Sequence, residues 1–285
     1  MACQGNPTLP VMAMRVVFPA DYFQVRRPDE AFADQAAAFA ARGWNVSALD
    51  EQGMFRPALL PGETVLYRGW MLDSAGYRAF VDAVEGAGAR VLTSLDAYLA
   101  AHHLPRWAPL LADVTPKTMC FTDLSDLPEQ LAALGWDGFF VKDFVKSLKT
   151  GPGSRITRPG QIGELLERMA QFRGQIEGGV CVRRVEELDP ASEERFFVRE
   201  GQTFRADGSA VPEVVRVVAG RVPSPFFSVD VARRADGACG WWKSGTGKCR
   251  TWWAGRPSSS WPSGMVGRAD QRGRVPALEG FCMLC

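Results

Sequence analysis

Short apolar runs alternate with amphipathic stretches along most of this chain. Met14 to Phe18, Trp44 to Leu49, Thr64 to Tyr67 and Ala89 to Leu92 are apolar runs of strand length. Between them, Pro28 to Ala41 and Ser74 to Glu85 carry apolar residues at helical spacing, the first stopped by Gly43. Strand, helix, strand in repetition predicts a parallel α/β domain. A helical stretch from Ser94 to Leu111, broken at Pro105 and Pro109, is followed by an extended piece over Pro116 to Phe121 and a short helix over Leu127 to Leu134 that ends at Gly135.

The pattern then changes. Phe139 to Val141 reads as a strand entering a core, and it delivers Lys142, Lys146 and Lys149 into a loop broken by Gly151, Pro152 and Gly153. Lysines offer point charges to phosphate oxygens, and glycines let backbone N–H groups approach an anion, so the run has the outline of a phosphate site. A basic hairpin with a solvated face is the plainer alternative. Pro159 to Phe172 reads as an amphipathic helix, with Ile162, Leu165, Leu166 and Met169 on one face. Val180 to Glu187 and Glu194 to Val198 follow as strands, Val211 to Val218 as a helix and Phe226 to Val231 as a strand. That last strand holds Asp230 among apolar neighbours, where a carboxylate is costly unless paired or bound to a cation; an aspartate facing water is the cheap alternative.

Composition narrows the function classes. With 285 residues and 46% hydrophobic content the chain has enough material for a sizeable core and two α/β lobes. Lys and Arg (33) nearly cancel Asp and Glu (32), so no global field draws the chain to nucleic acid or an anionic membrane, and any anion site is local. No apolar run reaches the roughly 18 residues of a membrane span, and the expected location is the cytoplasm. The seven cysteines are scattered without zinc or disulfide-framework spacing, which fits reduced thiols. Cys282 to Cys285 mimics a redox or prenylation motif without the context of either. His102-His103, the only histidines, have no third ligand nearby and are expected to be a solvated or structural pair. Arg68 sits just past a strand's carboxyl end, where open α/β sheets bind ligands, and is a substrate candidate; a surface arginine at a turn is the commoner case.

Taken together, the order of elements and three runs resemble the ATP-grasp family, and within it the subgroup named for one arginine and two lysines. The runs are Phe-Val-Lys-Asp-Phe-Val-Lys-Ser-Leu-Lys-Thr-Gly, Cys-Val-Arg-Arg-Val-Glu-Glu and Pro-Ser-Pro-Phe-Phe-Ser-Val-Asp-Val, within a resemblance covering residue 14 to about 237. It implies an α/β fold of ATP-grasp type: an N-terminal Rossmann-like pre-ATP-grasp α/β domain over 14–112, then two α+β lobes over 113–238 enclosing ATP. Residues 1–13 are expected to be a disordered extension and 239–285 an aberrant or disordered tail. The implied activity is an ATP-dependent carboxylate-amine ligase acting through an acyl phosphate, on small-molecule or peptide carboxylates and amines, with ATP and Mg2+ as cofactors.

Residue by residue, the resemblance implies that Lys142 contacts the phosphates with Lys146 or Lys149 assisting, and that Gly151, Gly153 and Ser154 belong to a lid over them. Glu186 or Glu187 would lie near the adenosine, and Asp230 would be a magnesium ligand. Arg183 and Arg195 would stabilise charge on the transferring group. A non-catalytic nucleotide-binding or protein-interaction module is the alternative.

One departure stands out. The family pattern continues with a strand ending in a metal-binding Glu and a second ligand shortly after. This chain turns instead at Ala235-Asp236-Gly237 into a segment where Trp241 to Trp261 holds five of the nine tryptophans without period. Tryptophan has one codon, so Trp241-Trp242-Lys243 is read from TGG-TGG-AA followed by A or G. Shifted one base earlier, the letters inside spell GTG-GAA, Val-Glu, whatever codons were used. With G- or C-rich choices, Cys239 to Gly255 becomes Leu-Arg-Val-Val-Glu-Ile-Gly-Asp-Gly-Gln-Val-Ser-Asp-Leu-Val-Gly-Trp, a buried strand followed by Glu-x-x-Asp. A frame displacement near Ala238 to Cys239, a damaged metal site and an unpaired neighbouring strand are therefore expected. The run Ser244 to Cys249 then only imitates a P-loop, since Trp242 stands for its first glycine and Cys249 for its Ser or Thr.

Overall fold

The computed structural model describes residues 14–145, 153–173, 176–234 and 239–245. It divides into two compact units that meet at Ser94 and Leu95.

In the first unit, β1 (Met14–Pro19), β2 (Asn45–Leu49), β3 (Phe55–Arg56), β4 (Thr64–Tyr67) and β5 (Arg90–Val91) form one sheet in the order β3-β2-β1-β4-β5. All pairings are parallel except that of the short β3 against β2, so the expected parallel α/β domain is present. Val16, Val17 and Phe18 of β1 are fully buried, as a central parallel strand covered on both faces should be. A 3-10 turn over Glu30–Phe32 leads into α1 (Ala33–Ala40), and α2 (Ser74–Gly86) starts where the Asp73 carboxylate accepts from the Gly76 N–H at 2.7 Å. Beneath the apolar layer, Arg15 donates from Nε and Nη2 to both oxygens of Glu63, at 2.6 and 2.8 Å. Glu63 also accepts from Asn45 and from the Leu60 N–H, and Arg15 donates to Ser47. Burial alone would raise the Glu63 carboxyl, and these donors hold it below the ordinary carboxylate range.

The second unit opens with α3 (Leu95–His102) and α4 (Leu104–Trp107). Sequence reading assigns both to the first domain. Their residues Ala101, Leu104 and Trp107 instead share a core with Phe196, Val198, Val215 and Val229. The apolar faces of these helices are equally suited to either neighbour, so periodicity does not choose between them.

Two four-stranded sheets follow. β6 (Thr118–Phe121), β7 (Phe139–Asp143), β8 (Arg155–Ile156) and β9 (Val180–Arg184) form the antiparallel sheet β6-β9-β7-β8. α5 (Leu127–Ala133) and α6 (Ile162–Arg173) cover one of its faces, with Leu131, Ile162, Leu165 and Met169 against Phe139, Val141, Val180 and Val182. The second sheet runs β11-β10-β12-β13, built from β10 (Leu188–Arg199), β11 (Gln202–Arg205), β12 (Phe226–Arg234) and β13 (Cys239–Gly245). Its Phe196, Val229 and Val231 pack with α7 (Glu213–Arg221).

Two expectations are corrected here. Cys120 and Cys181 are joined in a disulfide, 61 residues apart in sequence, because β6 and β9 place them directly opposite one another. The neighbour of the foreign-looking segment is not left unpaired either. Cys239 to Gly245 lies antiparallel along β12 as an edge strand, with Trp242 the extra residue of a bulge between Val231↔Trp241 and Asp230↔Lys243. Edge pairing uses backbone groups that any such residues supply.

Candidate nucleotide site

Strand register fixes which side chains share a face. On β7 and β9, Lys142 stands opposite Cys181, and Phe140 opposite Arg183. Lys142 and Arg183 therefore share the face that carries the disulfide, opposite the one covered by α5 and α6. Both are buried, at 7% and 3% exposure, which is unusual for cations. The Arg183 guanidinium lies 5.7 Å over the Trp107 ring and donates to the Thr115 hydroxyl. Burial pushes its pKa down to about 10 against the pull of Glu186, so it is still a cation at neutral pH.

The short connection from β9 to β10 borders a cavity of about 430 Å3. Val185, Glu186 and Glu187 line it, with Asp137 and Gly138 ahead of β7, Arg155 of β8, Arg184 of β9 and Arg234 of β12. The connection is tied down by the Val185 N–H donating to Gly138 O at 3.1 Å. A Cβ on Gly138 would come within 3.3 Å of Val185, so glycine allows the close approach. Glu186 sits between Arg184 at 3.9 Å and Arg234 at 3.7 Å, bridging the two sheets of this unit. Three guanidinium groups and three carboxylates thus face one concavity, a donor and acceptor set suited to a polar ligand bearing both hydroxyls and anionic groups.

A second cluster lies on the other sheet. Arg195 and Asp230 are register partners on β10 and β12, and the guanidinium grips the carboxylate at 2.6 and 2.8 Å. They lie on the opposite face of the sheet from Phe196 and Val229, the residues that pack with α7. Asp230 thus takes the paired option of the two open to it in the sequence, since only 4% of its side chain is exposed.

Of the site residues read from sequence, Glu186 and Glu187 line the cavity, Lys142 joins Arg183 on one sheet face, and Arg195 joins Asp230. Lys146, Lys149 and Gly151 lie outside the described residues. Gly153 is left-handed at φ 75°, and Ser154 is buried, its carbonyl accepting from the Val141 N–H at 2.7 Å; both belong to the closing turn of the β7–β8 hairpin. Arg68 is no surface arginine: it is 5% exposed and donates to Gln35 at 3.3 Å, at the carboxyl end of β4 beside β1, where the strand order of the first unit reverses. His102 is buried and bonds the Tyr98 carbonyl, and His103 lies 3.4 Å from Glu177, so the pair is structural. Sequence reasoning misses Asp137, Arg155, Arg184 and Arg234, whose only signal is their position at strand ends that converge in three dimensions.

No family model matches the chain, and no curated protein does. Among solved structures it is similar to the D-cycloserine synthetase DcsG (16% identity over 82% of this chain and 91% of that one, TM-score 0.57). It is also similar to a RimK domain ATP-grasp protein from Sphaerobacter thermophilus (17%, 83% and 92%, TM-score 0.55). A third likeness is to the ATP-grasp ligase PsnB, solved with precursor peptide PsnA2 and AMPPNP (17%, 84% and 90%, TM-score 0.50). Across both units, then, the fold of this chain is that of the ATP-grasp ligases.

Proposed function

We propose that the chain descends from an ATP-dependent carboxylate-amine ligase of the subgroup named for one arginine and two lysines, and that it retains the nucleotide site of that ancestry. The observation that carries this is the cavity at the β9–β10 connection, where Glu186 and Glu187 face Arg184 and Arg234 in a chain with this fold. In the proposed complex the carboxylates accept from ribose hydroxyls, while Lys142 and Arg183 neutralise phosphate oxygens. The ligase chemistry runs in two steps. A substrate carboxylate oxygen takes the γ-phosphoryl group as ADP leaves, and an amine then attacks the acyl carbon as phosphate leaves. Positioning and fixed charge carry such steps, so no strong base is required.

PsnB was solved with a peptide, which favours small-molecule or peptide carboxylates as substrates, with Arg68 of the first unit as a carboxylate partner. The proposed compartment is the cytoplasm, where ATP is supplied; no helix among the described residues is long and apolar enough to cross a membrane. We attribute the unusual ending to a one-base frame displacement near Ala238, with an impaired metal site as its result. A second possibility, nucleotide binding without turnover, is favoured by the ion pair that engages Asp230.

Titration of the full chain with ADP and ATP, followed by ADP release in the presence of candidate amino acids, tests the proposal. The expected result is saturable ADP binding weakened about tenfold or more by Glu187→Gln or Lys142→Ala, a loss of one charged hydrogen bond. Binding unchanged in both variants would remove this site from consideration.

A further inference from the structure

A divalent ion in a phosphoryl-transfer site is held by one or two carboxylates together with phosphate oxygens, in near-octahedral geometry. Asp230 offers one carboxylate, and both of its oxygens accept from Arg195. Its neighbours on the same face along β12 are Ser228 and Ala232, neither of them charged. Among the described residues no three of His, Cys, Asp and Glu come together as a metal-binding group. With both of its oxygens held by a guanidinium, Asp230 is set for a cationic side chain and not for a divalent ion.

The edge strand adds the decisive fact. Its bulge at Trp242 brings position 243 directly opposite Asp230, and a position directly opposite on an antiparallel neighbour shares its face of the sheet. Lysine stands there. In the frame one base earlier, the forced GAA codon takes its G from the Trp242 codon and its two A's from the Lys243 codon. The residue that changes to glutamate is thus the one the strand register sets across from Asp230. A coincidence of tryptophan codons would have no reason to put its glutamate at this position.

We infer that in this chain the Asp230 carboxylate is neutralised by the Arg195 guanidinium in place of a divalent metal, and that the second carboxylate of a metal-binding pair is encoded at position 243 in the neighbouring frame. The inference rests on the ligase reading only for the purpose of the ion, not for the pairing of Asp230 with position 243.

The test is Mn2+ binding to the full chain, followed by electron paramagnetic resonance, with ADP binding measured in parallel. The unaltered chain is expected to show no Mn2+ site that depends on Asp230. Lys243→Glu is expected to gain one, binding at least about tenfold tighter, and Asp230→Asn in that background to abolish the gain. A chain rebuilt in the displaced frame from codon 239 should behave as Lys243→Glu does, which covers the case where the single variant folds poorly. Mn2+ bound by the unaltered chain and lost on Asp230→Asn would overturn the inference, as would absence of any gain in both altered chains. Failure of ADP to bind any of the chains would count against the ligase ancestry, while the Mn2+ comparison would still decide this point.

Discussion

Two arginine–carboxylate pairs, one in each unit, look alike in distance and differ in everything around them. Arg15 and Glu63 are both nearly sealed from solvent, at 7% and 3% side-chain exposure, and each has further partners, Ser47 for Arg15 and Asn45 and the Leu60 N–H for Glu63. Arg195 and Asp230 are as close, yet Arg195 is 26% exposed and a bulged edge strand lies along the other side of Asp230. The first pair is built into its unit as a lock whose members satisfy one another. The second is buried at the carboxylate and open at the cation.

Removing one carboxylate at a time separates the two pairs. Glu63→Ala strands a buried guanidinium and is expected to cost about 3–5 kcal/mol, read from urea unfolding of the full chain. Asp230→Asn is expected to cost less, about 1–3 kcal/mol, because solvent reaches Arg195 and takes over part of its hydration. Equal losses in the two variants would mean that the two pairs are held alike. The mildest perturbation is acid. Glu63 has a folded pKa below its ordinary value of 4.5, so its contribution is fully present above that value. It is lost as pH falls toward the folded pKa. A pH series is therefore expected to show stability dropping below about 4.5, with Glu63→Gln flattening that part of the curve.

Much of the architecture is legible in the sequence because burial on both faces of a strand leaves an uninterrupted apolar run. Val16 to Phe18, Val65 with Leu66, and Val180 to Val182 are of this kind, and each is a strand. Lys142 is legible for the converse reason, being a cation placed where such a run ends. What sequence does not give are pairings across strands. Cys120 and Cys181 meet through a register between elements separated by the whole of α5, β7 and α6. Arg184 and Arg234 reach the same cavity from different sheets. The division after Ser94 escapes as well, since α3 and α4 carry apolar faces that either unit could bury.

The disulfide between Cys120 and Cys181 lies in the same cross-strand row as Lys142. The covalent form of the protein is therefore part of the proposed phosphate site. A chain reduced at this bond would differ by two hydrogen atoms at the floor of that site. Affinities compared between laboratories will agree only when that difference is controlled, for example by weighing the intact chain before each titration.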